Sequence, residues 1–197
     1  MLKRILIFLF FLGWFTTVFG QQKEIHVKWV TETIDLDGAL DEAIWSQAAP
    51  ATDFWQHFPT DSLQATYQTE IKMLYDEKYL YLGIVVYAPG TDYVVPSLRR
   101  DFRARGNDNI SLMFDTFNDG NNAFFFGTNP EGVQREALIA GGGSRNGGFN
   151  TSWDVKWQNE TQMHDDHYVA EMKIPLSSFK FREGVEKWRF NAYRFDT

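Results

Sequence analysis

The sequence predicts an all-β fold, an antiparallel β-sandwich or jelly roll with short helical turns. Three observations predict it. "ATYQTEIKMLYD" (65–76) alternates strictly, with Tyr67, Thr69, Ile71, Met73 and Tyr75 on one face and Gln68, Glu70 and Lys72 on the other, as a half-buried strand does. Turn residues recur at near-regular spacing, in "NDGN" (118–121), "NPEG" (129–132), "GGGSRNGG" (141–148) and "HDD" (164–166). Aromatic residues make up 17% of the chain, a composition that favours strands over helices.

The elements follow in order. The chain opens with Lys3 and Arg4, runs apolar from Ile5 to Phe15 and reaches small residues by Gly20, the pattern of a secretory signal peptide spanning 1–20. The apolar run is too short for a membrane helix, which needs about 20 residues. Residues 21–197 then form one domain, and the formal charge falls from −7 to −9 once Lys3 and Arg4 leave. Export to the periplasm, outer membrane or cell surface is the expected destination.

"EIHVKWV" (24–30) reads as a first strand. "LDEAIWSQA" (40–48) reads as a short helix whose first turn carries Asp41 and Glu42, suited to a helix N-terminus. After 65–76, "YLYLGIVVYAP" (79–89) places Leu80, Leu82, Ile84 and Val86 on one face and completes a hairpin. Strands are expected at 109–117, 122–129, 132–140, 153–160, 167–175 and 187–195, with a helical turn at 175–179. Many short strands at this spacing mean a sandwich or jelly roll. Trp45 and Trp188 lie in apolar contexts that read as core, whereas Trp55, Trp153 and Trp157 lie near loops or strand ends.

Composition narrows function. Net acidity, and a single basic cluster (Arg99, Arg100, Arg103, Arg105) broken by Asp101 and Asp108, argue against nucleic acid as a partner. The absence of cysteine excludes thiol catalysis and zinc–thiolate sites. No histidine sits in a nucleophile elbow or another recognisable triad. Asp101, Asp108, Asp115 and Glu136 are the carboxylates a glycosidase would draw on, and strand alternation alone does not bring two of them face to face.

"DTFNDGNN" (115–122) is oxygen-rich, so Asp115 and Asp119 are the first candidates for a structural calcium; a hairpin turn built on Asn, Asp and Gly is the alternative. The spacing is not that of an EF-hand, since positions three and twelve fall on Phe117 and Phe126. Two long loops, 88–108 and the glycine-rich 140–148, are where binding is expected.

Five motifs taken together carry a resemblance. "LDGALDEAIW" (36–45), "EIKMLYDEKYLYLGIVVY" (70–87), "DNISLMFDTF" (108–117), "YVAEMKIPLSSFKF" (168–181) and "WRFNAYRF" (188–195), in that order, resemble the family 9 carbohydrate-binding modules. The likeness is closer to the amino-terminal module of an outer-membrane protein family of Bacteroidetes-type bacteria, and it covers residues 25–195. It implies that the opening motif is structural, turning at Gly38 and pinning a short helix through Trp45, and that Asp35 or Asp37 could help hold a calcium. It also implies a sugar clamped between two tryptophans, with Glu and Arg ligands on adjoining strands. In this chain the first tryptophan's place is held by Arg105, the Glu's by Ser111 and the Arg's by Gly127. Asn129 alone agrees, and the second tryptophan and the last strand are expected beyond residue 197.

Two functions are therefore expected. The first is a non-catalytic carbohydrate-binding module linked to xylan-like polysaccharide breakdown, with Trp153, Trp157 and Trp55 as stacking platforms. Arg100, Asp101, Arg105 and Asn129 would supply its polar contacts to an oligo- or polysaccharide. The second is a plug-like head domain of an outer-membrane β-barrel protein, whose partner is that barrel or another envelope protein. A sheet ending on an unpaired strand would also favour self-association.

Overall fold

The computed structural model describes residues 23–143 and 148–197, so the stretch read as a signal peptide lies outside the described residues. Ten strands form, in chain order: β1 (Lys28–Trp29), β2 (Thr69–Tyr75), β3 (Tyr79–Tyr87), β4 (Asn109–Asp115), β5 (Ala123–Thr128), β6 (Gln134–Ile139), β7 (Phe149–Asn150), β8 (Gln158–Met163), β9 (His167–Pro175) and β10 (Arg189–Phe195). They make two five-stranded sheets, ordered β1-β2-β3-β9-β8 and β10-β4-β5-β6-β7. All pairings are antiparallel except β1 with β2.

The core lies between the sheets because period-two patterning puts apolar side chains on the facing surfaces. Ile71 and Met73 from β2, the four residues from Leu80 to Val86 expected to share a face, and Tyr168, Ala170, Met172 and Ile174 from β9 pack on Ile110, Leu112, Phe114, Phe124 and Phe126 of the second sheet. Among the described residues no helix is long and apolar enough to cross a membrane.

A second apolar layer covers the outside of the first sheet. Val30, Ile34, Ile44, Trp45 and Ala48 pack there on Leu74 and Tyr81. Gly83 permits this, since a Cβ on it would lie 2.6 Å from Leu40 Cδ2 and 3.0 Å from Trp45 Cζ3.

The segment "IDLDGALDEAIW" (34–45) enters this layer through Ile34, Leu40, Ile44 and Trp45, and carboxylates tie its backbone in place. The Asp37 and Gly38 amides both donate to Glu171 Oε2 at 3.0 Å, the Ala39 amide to Asp37 Oδ1 at 2.9 Å, and the Asp35 amide to Glu42 Oε1 at 2.7 Å. Gly38 takes φ 86°, and a Cβ there would meet the Thr161 carbonyl carbon at 2.9 Å, so only glycine lets the turn lie on β8.

Two expectations are corrected. The helix over 40–48 is a single 3-10 turn, Trp45–Gln47, because Ile44, Trp45 and Ala48 already bury the apolar face within one turn. Residues 153–157 are not a strand. Trp153, Val155 and Trp157 do alternate inward while Asp154 and Lys156 face solvent, but this stretch links β7 in one sheet to β8 in the other and pairs with neither.

Candidate functional site

The loop 93–108 crosses the outer face of the second sheet. Asp108 ties its ends together, with Val94 N donating to Asp108 Oδ2 at 2.7 Å and Asp108 N to Val94 O at 2.8 Å. Asn109 Nδ2 donates to the carbonyls of Ala104 and Asn107, and Asp101 N donates to Gln134 O at 3.0 Å. Phe102 is thereby buried. Arg135 alternates outward on β6 and lays its guanidinium over the rings of Phe125 (4.9 Å), Phe149 (5.0 Å) and Phe102 (5.9 Å), which are cation–π distances. Burial works against the charge of Arg135 and lowers its pKa, with Asp101 opposing the fall.

Ser111 and Gly127 pair directly across β4 and β5 on this face. Ser111 is buried and its hydroxyl donates to Asn109 Oδ1 at 3.0 Å. The two positions the resemblance assigns to Glu and Arg ligands thus meet in space, but with no ligating side chain and under the chain's own loop.

A second constellation forms where β6 meets the 153–157 crossing. Glu136 pairs with Phe126, so it points toward the core, and it is fully buried. Its Oε2 accepts the indole N–H of Trp157 at 3.1 Å, and its Oε1 accepts Arg100 Nη2. Arg100 also donates to Gln134 Oε1 (3.1 Å), Asp154 Oδ1 (3.2 Å) and Val155 O (3.3 Å). Burial raises the pKa of the Glu136 carboxyl, against the pull of Arg100 and Trp157. For Arg100, burial is opposed and overcome by Glu136 and Asp154, so its pKa rises and it stays charged.

This cluster decides the fate of the expected site residues. Arg100 and Asp101 reach β6, and Arg100 joins the 99–108 loop to the 153–157 segment. Trp153 is half-buried, 5.5 Å from the Phe124 ring and 5.7 Å from Phe126. Trp157 is only 5% exposed; its ring meets Phe126 edge-on at 5.4 Å and its N–H is spent on Glu136, so it is a core residue and not a stacking platform. Asn129 is likewise corrected: it is fully buried and its Oδ1 caps the β5–β6 turn, accepting the amides of Glu131 (3.1 Å) and Val133 (2.9 Å). Arg105 is exposed at the tip of the loop.

Trp55 is 59% exposed but stands apart. Its segment folds back on itself through the Trp55–Gln64 bridge and lies against β10, where His57 meets Tyr193 at 6.5 Å and Arg194 Nη1 donates to Tyr67 O. β10 is three strands from β6, about 14 Å at ordinary strand spacing.

The calcium candidates are committed elsewhere. Asp115 Oδ2 accepts Gly120 N at 2.7 Å, and Asp119 Oδ1 accepts the amides of Asn121 (2.7 Å) and Asn122 (2.9 Å). These bonds lower the Asp119 pKa. With Asn118 and Gly120 at positive φ, this is the Asx-stabilised hairpin turn. Among the described residues no three His, Asp or Glu side chains are placed to hold a metal ion.

Sequence reasoning missed Gln134, Asp154, Phe102, Arg135 and Phe149. The alternation of "QREALI" could have set Arg135 and Glu136 on opposite faces; nothing local could have shown that Phe102 folds over Arg135, a contact between residues far apart in the chain.

The comparisons agree with this architecture. Residues 36–196 match the family described as carbohydrate family 9 binding domain-like. A family 9 carbohydrate binding module from Caldicellulosiruptor kristjanssonii in complex with glucose superposes with TM-score 0.61 at 17% identity, covering 88% of this chain and 78% of that one. The module in complex with cellotriose gives TM-score 0.59 at 18% identity, covering 86% and 75%. A protein from Bacteroides uniformis, described as a candidate carbohydrate-binding protein, gives TM-score 0.59 at 14% identity over 85% of this chain and 81% of that one. No curated protein sequence matches the chain.

Proposed function

The chain belongs to the carbohydrate family 9 binding domain-like family, and from that premise we propose that it is a non-catalytic carbohydrate-binding module of an exported protein serving polysaccharide breakdown. The family match over 36–196 carries the reading. The neighbours in complex with glucose and cellotriose support a neutral, β-linked glycan, of which xylan is a backbone analogue. The carboxylates do not argue for a hydrolase: Asp108 and Asp115 accept backbone amides, and Glu136 is spent on Arg100 and Trp157. Export is part of the proposal and rests on residues 1–20.

A second reading, a head domain of an outer-membrane barrel protein without a sugar role, draws on one observation: the outer face that should hold the sugar is filled by Phe102 and Arg135. Titrating the folded mature chain with cello-, xylo- and manno-trioses by calorimetry separates the two. The module reading expects a saturable isotherm with at least one sugar. A folded sample that responds to none of them overturns it in favour of the head domain.

A further inference from the structure

Resting on the carbohydrate-binding reading, we propose that the saccharide docks in a basin at the β6–β8 edge of the sandwich, beside Arg100, and that this basin selects neutral sugars over uronic acids. The basin is open to solvent and holds about 430 Å³ between Leu98, Arg100, Glu131, Val133, Gln134 and Asn159. Small-ligand sites occupy about 300–1,000 Å³.

The lining supplies what a pyranose needs. Arg100 is a planar donor held in place by Glu136, Gln134, Asp154 and Val155, and its Nε–H has no partner among the described residues. A donor already fixed loses little conformational freedom when a ligand arrives. Asn159 is fixed at the wall of the basin, because its Nδ2 donates to Thr128 Oγ1 at 2.9 Å and Gly132 O at 3.1 Å. Glu131 is exposed and, among the described residues, only its backbone amide is engaged, so its carboxylate can accept hydroxyl protons. Leu98, 70% exposed, and Val133 offer apolar surface to the C–H face of the ring.

Charge sets the selectivity. Among the described residues Arg100 is the basin's one cation, and Glu136 and Asp154 already pair with it. Glu131 adds a further negative charge, so the basin's net negative potential repels a uronate and does not repel a neutral glycan.

The test is calorimetric titration of the mature chain with cellotriose and with a trimer of galacturonic acid. It compares the wild type, the double variant Leu98→Ala/Glu131→Ala, the outer-loop variant Arg103→Ala/Arg105→Ala, and Trp55→Ala. All substituted side chains are exposed, so folding is expected to survive. The proposal expects the Leu98/Glu131 variant to weaken cellotriose binding about tenfold or more, the other two to stay within about twofold, and the uronate to bind at least about tenfold more weakly. Amide shift mapping on the wild type should place the cellotriose perturbations at 98–100, 131–134 and 159, without relying on any variant. Wild-type binding unchanged in the Leu98/Glu131 variant, or perturbations centred on 102–105 or 55, overturns the basin while leaving the sugar-binding reading intact. No wild-type binding at all overturns both.

Discussion

Glu171 and Glu136 are buried glutamates of opposite sheets, and their partners differ. Glu171 gives one oxygen to the amides of Asp37 and Gly38, has no cation paired with it among the described residues, and its pKa is pushed up to about 7 by burial, with Glu42 and Asp37 adding to the rise. Glu136 instead takes a guanidinium and an indole, both side chains. A carboxylate bound to backbone amides fixes where a chain segment lies, so Glu171 pins the acidic opening motif to the first sheet. A carboxylate bound to Arg100 fixes where a side chain points, so the β6 edge presents an oriented donor to solvent.

The sharpest way to break this contrast is Trp45→Ala. It should cost about 3–5 kcal/mol in denaturant unfolding, since the indole is fully buried between the opening segment and Gly83. A loss below about 1 kcal/mol would mean that the outer layer is not part of the fold. Next comes the pH dependence of Glu171. Its folded pKa lies above the ordinary value near 4.5, so its contribution is fully present below about pH 4.5 and is lost as pH rises through about 7. Comparing Glu171→Gln with the wild type should show the variant gaining on the order of 2–3 kcal/mol in relative stability between pH 4.5 and 8. A pH-independent difference would contradict the assignment.

Glu136→Gln should cost less, about 1–3 kcal/mol, because Arg100 is partly solvated; it should also weaken sugar binding by releasing Arg100, which the Glu171 variant should not do. Removing calcium with a chelator should leave the melting temperature unchanged, because Asp115 and Asp119 already hold their own turn. A clear drop would restore the metal. Trp55→Ala should change stability by no more than about 0.5 kcal/mol.

The strands were legible because period-two burial is a local signal: Ile71, Met73, Leu82, Ile84 and Val86 all face the core as their alternation requires. The same signal misled at 153–157, where inward alternation exists without a neighbouring strand to pair with. Trp157 looked like a surface aromatic because a strand end is usually open; Glu136, 21 residues earlier, buries it by taking its N–H. Arg100 could be read as a polar candidate from its loop, but its four partners lie on β6 and the 153–157 crossing, and only the folded register brings them together.

The most direct test of the carbohydrate-binding account is calorimetric titration of the folded mature chain with cellotriose. The account predicts a saturable, one-site isotherm. A flat trace from a sample shown to be folded would contradict it.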